Sequence, residues 1–404
     1  MNIGIDTSDF VSLIGAFDFI NNLILAISQK AEESNDKIFV LLKKDSKEYK
    51  NFKGIKRIIK KLECVISNNF PKYKISDSHG DFGSYNCVEF VEYNSNLNIV
   101  ARQLKLSCIF LVTNFSQTLP SIPIIGYLYD CQHKYYPQFF SKCEIIDRDK
   151  HFFEMVKHPC VVNSIDTKKD LIKFYKANEK FVYSLPFTPK LKKDYLIEKK
   201  DIISKYNLPK RYFLSSNQFW IHKDHPTLFK AFKNITQQQE FKDVELICTG
   251  TMEEYRKADY LTSLKDLIKN LNIEKQVRFL GRIPKNEQIE IMKNCEAVVQ
   301  TTLFEGGPGG GSVWDACALG IRSIVSDIPV NLEIKNDLVT FFEKQNVNDL
   351  TKKMIMILNS TKIKYSHQEL IDNSNKNIKI LGERLYEIIE DVKCNMNKEF
   401  YEQK

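Results

Sequence analysis

Short β-branched runs alternate with longer amphipathic stretches along this chain, and the alternation runs twice. NIGID (2–6) reads as a strand, FDFINNLILAISQKA (17–31) follows with helical spacing at Phe17, Ile20, Leu23, Leu25 and Ile27, and KIFVLL (37–42) is the next strand. CIFLV (108–112) and IPIIGYLYD (122–130) continue the series. Parallel neighbours need a crossover, so strand–helix–strand order implies an open parallel sheet covered by helices on both faces. The order breaks at SLPFTPKLKKDYLIEKKD (184–201), where two prolines and a lysine-rich stretch without strand periodicity read as an interdomain linker. It then restarts with strands YFLSSN (212–217), VELICTG (244–250), VRFLG (277–281), EAVVQT (296–301) and RSIVS (322–326), and with helices over 226–236, 254–271, 285–294 and 312–319. The expected organisation is a first doubly wound α/β domain over 1–185, a linker over 186–201 and a second over 202–375. A last helix and tail over 376–404 are expected to pack back towards the first domain.

A length of 404 residues gives each of two domains enough chain for its own core. Hydrophobic content of 43% and charge of 27% are those of a soluble globular protein. No apolar run reaches the ~18 residues of a membrane span, and the N-terminus lacks the basic segment of a signal peptide. The ten cysteines show no C-x-x-C spacing and no pairing with histidine, and Cys108 and Cys248 lie in apolar runs. They read as reduced core residues of a cytoplasm-like compartment, so structural zinc is not expected.

The net charge of +8 is uneven: KKDSKEYKNFKGIKRIIKK (43–61) sets nine Lys or Arg against Asp45 and Glu48. Two readings stand, a solvated face or a surface attracted to anionic lipid headgroups. Phe52, Ile55, Ile58, Ile59 and Leu62 recur at helical spacings, although Gly54 weakens a helix there. Nucleic acid is not an expected partner, because no helix-turn-helix, zinc or aromatic RNA-binding signature accompanies the charge.

The stretch FEGGPGGGSVWDACALG (304–320) carries Gly306, Gly307, Gly309, Gly310 and Gly311, five of the chain's 15 glycines, interrupted by Pro308. A strand feeds the loop and SVWDACALG opens a helix, for which Ser312 is a suitable N-cap. Free amides and the positive end of the helix dipole then converge on one spot, and glycine lets an anion approach them. The pattern is neither a Walker loop, since no G-K-[ST] follows, nor a first-strand G-x-G-x-x-G. A flexible surface turn is the competing reading.

The flanks sharpen the anion reading. LFEG…DACALGIRSIVSDIPVNLEI resembles the retaining glycosyltransferases of family 4, the group 1 type found in bacterial polysaccharide assembly. Glu305 matches the family's first acid, and Asp315 takes the place of the second Glu with nine residues between instead of seven. SNQFWIHKDHPTLFKAF (216–232) is similar to the loop that brings the family lysine, here Lys223. VRFLGRIPKNEQIEIMKNCEAVVQTTLFEG (277–306), IPIIGYLYDCQHKYYPQFF (122–140) and VVNSIDTKKDLIKFY (161–175) resemble further family segments. The first 120 residues match loosely, through GIDTSDF…IGAFDFINNL.

The resemblance implies a GT-B fold, two Rossmann-like domains facing each other across a cleft. It implies transfer of a hexose from GDP-mannose or a UDP-hexose to a glycan or lipid-linked glycan, in O-antigen or capsule synthesis, with no metal and no cofactor. Lys223 and the amides of 306–312 would meet the diphosphate, Glu305 the donor sugar and Asp315 the ribose. The family's arginine five positions before the lysine is Gln218 here; the enlarged loop and Arg282 both stand as replacements. His133 corresponds to the histidine facing the transferred sugar, and Gly15, Asp130 and His133 fall on the acceptor side. His222 and His225 read as surface or packing residues. DRD (147–149) imitates a metal-binding D-x-D but sits in a helical, charged segment, so no divalent metal is implied. An epimerase or phosphorylase on the same fold, or an inactive partner subunit, remain alternatives; Gln218, Asp315 and the altered spacing keep the last open.

Overall fold

A computed structural model describes residues 1–7, 14–43, 63–67, 70–74, 87–93, 96–113, 122–254 and 256–396. The basic stretch 43–61 lies outside these residues except for Lys43. The chain divides into two compact units: Met1–Cys131, Ser141–Thr188 and Asn375–Lys404 form the first, and Gln132–Phe140 with Pro189–Ser374 the second.

The first unit is built on a sheet of β1 (Asn2–Asp6), β2 (Lys37–Lys43), β3 (Glu63–Ser67), β4 (Phe70–Lys74), β5 (Val88–Tyr93), β6 (Cys108–Val112), β7 (Ile124–Tyr127), β8 (Cys160–Val162) and β9 (Val182–Ser184). Their spatial order is β3-β4-β5-β2-β1-β6-β7-β8-β9. β1 is central and parallel to both neighbours, with Ile3 opposite Ile38 on one side and Cys108 on the other. Burial on both faces explains why β6 reads as an unbroken apolar run, all five residues being buried. The sheet is not parallel throughout, as the sequence pattern had implied: β3–β4 and β4–β5 pair antiparallel. Two residues separate β3 from β4, too few for a crossover, so the pair can close only as a hairpin.

The helix Ile14–Ser34 extends the expected 17–31 at both ends. It packs Ile20, Leu23, Ile24 and Ile27 into a core shared with β1 and with Leu381, Leu385, Ile388 and Val392 of the final helix, His367–Met396. A Cβ on Gly382 would stand 2.4 Å from the carbonyl oxygen of Ala26, so glycine is what lets these two backbones touch.

The second unit holds β10 (Tyr212–Ser216), β11 (Glu245–Thr249), β12 (Val277–Gly281), β13 (Val298–Gln300), β14 (Ser323–Ser326) and β15 (Val339–Phe342). All pairs are parallel, and the order is β12-β11-β10-β13-β14-β15. This is the doubly wound order 3-2-1-4-5-6 of a Rossmann fold. Phe213, Leu246, Cys248, Val299 and Ile324 meet Leu228, Phe229, Phe232, Leu264 and Met354 of the covering helices in one core.

Candidate functional site

In a doubly wound sheet, chains leaving two adjacent strands turn to opposite faces at one point, and the gap beyond their carboxyl ends is the natural ligand site. Here that point lies between β10 and β13, which pair through Leu214 and Val298. The loop after β10 needs room for a close backbone approach. A Cβ on Gly250, whose φ is +139°, would sit 1.8 Å from the carbonyl oxygen of Asn217. The loop then forms a single turn, Ile221–Lys223, and enters the helix His225–Thr236 with Pro226 in its first turn.

The loop after β13 is stitched to this turn. Thr301 Oγ1 donates to the carbonyls of Lys223 and Asp224 at 2.8 and 2.9 Å, and Leu303 N–H donates to that of His222 at 2.7 Å. These bonds bring Lys223 to Glu305, and the two form an ion pair. Gln300 Nε2 lies 3.4 Å from Glu305 Oε1, while Gln300 Oε1 is buried without a hydrogen-bond partner among the described residues. A polar atom left so is expensive unless something else reaches it.

The glycine loop follows directly. Gly309 and Gly310 have φ of +70° and +58°, a region that L side chains rarely enter. Gly309 N–H donates to Asn331 Oδ1 at 2.9 Å, Asn331 Nδ2 donates to the Ser326 carbonyl at 2.8 Å, and Trp314 Nε1 donates to the Pro308 carbonyl at 2.8 Å. The loop is therefore tied on both sides, which does not suit a flexible turn. The helix it opens is Gly310–Ala318 with Gly309 as N-cap, so Ser312 is not the cap the sequence suggested. Glycines at positive φ set the helix start, and Ser312 lies buried within its first turns. A Cβ on Gly311 would meet nothing within 4 Å, so that face of the loop is open.

Asp315, on the same helix, is ion-paired with Lys285, the first residue of the helix Lys285–Asn294. Sequence reasoning passed over Lys285. A cation at a helix N-terminus opposes the dipole, and that mismatch was the available signal that it had another partner.

His133 sits in the short helix Gln132–Tyr135 and is 1% exposed, its ring edge-on to Phe140 at 6.2 Å. Within the second unit, this segment rests on the residues that precede Glu305. Tyr136 Oη donates to the Leu303 carbonyl at 3.3 Å, and the rings of Tyr135 and Tyr136 lie 5.7 and 6.1 Å from Phe304. Phe139 meets His222 at 6.5 Å and the guanidinium of Arg256 at 5.4 Å. Arg256 is held by Glu254, whose carboxyl is pushed up by burial but brought below its usual range by Arg256 and by the amides of Ile221 and Arg256.

Gln218 and Arg282 are exposed, the latter with no ion pair among the described residues. Asp130 is in the first unit, paired with Arg148 at 2.9 Å. Gly15 lies in the helix Ile14–Ser34. His222 and His225 are packing residues. His225 stacks on Phe219 at 4.4 Å, and burial, reinforced by the charge of Lys223, pulls its pKa down to about 3. Burial, with Lys223 and Arg256 beside it, lowers that of His222 further. Asp147 and Asp149 lie on the helix Lys142–Met155, and Asp149 accepts a 2.7 Å bond from Tyr175. No group of three or more His, Cys, Asp and Glu suited to a metal occurs among the described residues. Cys108, Cys160, Cys248, Cys295 and Cys317 are buried free thiols.

Residues 197–377 match the family described as Glycosyl transferases group 1. The chain is similar to the O-antigen chain mannosyltransferase RfbU of Salmonella typhimurium, 26% identical over 208 residues that make up 51% of this chain and 53% of the relative. It thus spans about half the length of that curated relative. A glycosyltransferase structure from Rickettsia africae superposes with a TM-score of 0.62 at 13% identity, covering 98% of this chain and 99% of its own. HepE of Anabaena, solved with UDP and glucose, gives 0.55 at 13% identity, covering 100% and 99%. At these identities the structural likeness shows the fold, a GT-B architecture with two Rossmann-like units.

Proposed function

We infer that this chain, whose residues 197–377 match the family described as Glycosyl transferases group 1, is a glycosyltransferase of that kind and moves a hexose from a nucleotide-diphosphate sugar to a glycan or lipid-linked glycan acceptor. The observation that carries this reading is the Lys223–Glu305 pair at the switch point, immediately ahead of a tied glycine loop and helix start. A departing nucleoside diphosphate gains negative charge as the glycosidic bond breaks, and an ammonium with converging amides is the environment that stabilises it. Lys223 and the amides of Gly306, Gly307 and Gly310–Ser312 supply this, the Gly309 amide being given to Asn331, with Gln218 and Arg282 at the exposed margin.

Carboxylates suit hydroxyl groups: Glu305 holds the donor sugar and Asp315 the ribose, each exchanging part of its lysine contact for the ligand. His133 faces the transferred sugar. Transfer proceeds with retention, the leaving diphosphate taking the acceptor's proton on the same face, and without a metal. The relative named for O-antigen mannosyl transfer and the fold neighbour solved with UDP and glucose support GDP-mannose or a UDP-hexose as donor. Lipid-linked acceptors place the work at the cytoplasmic membrane face, with 43–61 as the contact. No described helix is long and apolar enough to cross a membrane.

Glu305→Gln and His133→Ala test the reading. Each is expected to lower donor turnover far more than diphosphate affinity, since both groups act at the sugar. Wild-type turnover in either variant removes that residue from the reaction.

A further inference from the structure

Glu254 and Arg256 form a buried pair that no part of the proposed chemistry uses, their side chains being 1% and 8% exposed. Arg256 donates to Glu254 three times: from Nε at 2.7 Å, from Nη2 at 2.9 Å and from its own backbone N–H at 3.0 Å. Glu254 also accepts the backbone N–H of Ile221 at 2.7 Å, the residue that opens the turn ending in Lys223. The guanidinium meanwhile lies over two rings, 5.4 Å from the centroid of Phe139 and 5.5 Å from that of Trp220.

These contacts reach both functional loops of the second unit. Ile221 and Trp220 belong to the loop that ends in Lys223, and Phe139 belongs to the segment that carries His133. We propose that the Glu254–Arg256 pair positions the Lys223 turn and the His133 segment relative to each other, a role that rests on the functional reading above. Arginine fits the task because its rigid planar fork bonds the carboxylate along its edge while its faces remain free for aromatic rings. With its edge given to Glu254, Arg256 acts through its neighbours as a positioning residue and makes no contact with the donor diphosphate. A buried ion pair is a poor source of net stability, which favours a role in fixing geometry.

Hydrogen exchange on the intact chain reads the clamp without reference to activity. Arg256→Ala is expected to speed exchange over 132–140 and 220–223 about tenfold, the loss of a desolvated cation–π contact. Exchange in β10 and β11 is expected to stay as in the wild type. In parallel, hydrolysis of GDP-mannose or UDP-glucose should fall about tenfold, and the Kd for GDP or UDP should weaken by a smaller factor, because the Lys223 turn is loosened but keeps its ammonium. Arg256→Lys, which keeps the charge beside Glu254, should recover part of both. If Arg256→Ala does not fold, Phe139→Leu removes the ring alone and should still speed exchange over 220–223. Unchanged exchange over 132–140 overturns the proposal, and so does a loss of diphosphate affinity equal to the loss of turnover. If the wild type hydrolyses no donor, the functional reading fails, and the exchange result still decides whether the clamp exists.

Discussion

Lys223 and Glu305, 82 residues apart, form an ion pair whose side chains are 11% and 13% exposed. Removing two charges from water costs several kcal/mol per ion and is repaid by good geometry alone, so such a pair is weak support for stability. Its value lies in what each member does when a ligand arrives. On the proposed function, the ammonium's remaining donors would meet a phosphate oxygen and the carboxylate's remaining lone pairs the sugar hydroxyls.

Lys223→Ala is expected to weaken binding of GDP or UDP by about 1.5–3 kcal/mol, the range for a hydrogen bond to a charged group. Titration calorimetry on both proteins measures it. Equal affinities would take Lys223 out of the diphosphate site.

The glycines should respond unequally. Gly250→Ala places a methyl 1.8 Å from a carbonyl oxygen at a φ of +139°, and is expected to lower Tm or abolish folding. Gly311→Ala meets nothing within 4 Å and should fold with a Tm close to wild type. On the proposed function its methyl would stand where a phosphate approaches the loop, so nucleotide affinity should drop. A Gly311→Ala protein that binds nucleotide as well as the wild type would mean the ligand does not lie against this part of the loop.

The architecture was legible from the chain because the strands and helices carry different hydrophobic periods, and Tyr212–Ser216, Val277–Gly281 and Lys285–Asn294 fall within a residue of where the pattern puts them. The β3–β4 hairpin was not, because FPKYK (70–74) lacks the apolar run that marks the buried parallel strands. The glycine loop was visible through residue type and spacing, and Glu305 and Lys223 through the resemblance to family 4 glycosyltransferases. Ser312 misled because serine is a good cap, whereas two glycines at positive φ fix the helix start earlier. Lys285, Glu254 and Arg256 were missed for a common reason. Each acts through a partner brought near by the fold or through a loop without periodicity, and residue spacing cannot show that.

Stability should fall below neutral pH for a reason visible in two residues. Burial depresses the pKa of His222 and His225 from 6.5, that of His225 to about 3. Below about pH 6.5 the unfolded chain therefore binds protons that the folded chain refuses. The contribution is fully present above that value and is lost as pH falls, by about 1.4 kcal/mol per pH unit for each histidine. Urea denaturation at pH 7.0 and 5.5 should show a decline that shrinks by about 1 kcal/mol in His225→Gln. An unchanged decline would show that His225 is protonated in the native protein.

The basic stretch 43–61 should bind anionic liposomes at low salt, each engaged Lys or Arg contributing about 1 kcal/mol. Replacing Lys56, Arg57, Lys60 and Lys61 with Glu should reduce cosedimentation. No cosedimentation by the wild type at low salt would leave these residues as a solvated face and favour a soluble acceptor.

On the proposed function this chain cleaves a nucleotide-diphosphate sugar at the bond between sugar and diphosphate. Phosphorus NMR of the purified chain with GDP-mannose and with UDP-hexoses, in excess EDTA, reads that cleavage as the appearance of free GDP or UDP. The expected result is release from at least one donor that persists with chelator and disappears in Glu305→Gln. No release from any donor by a folded chain, or release unaffected by Glu305→Gln, would contradict the account.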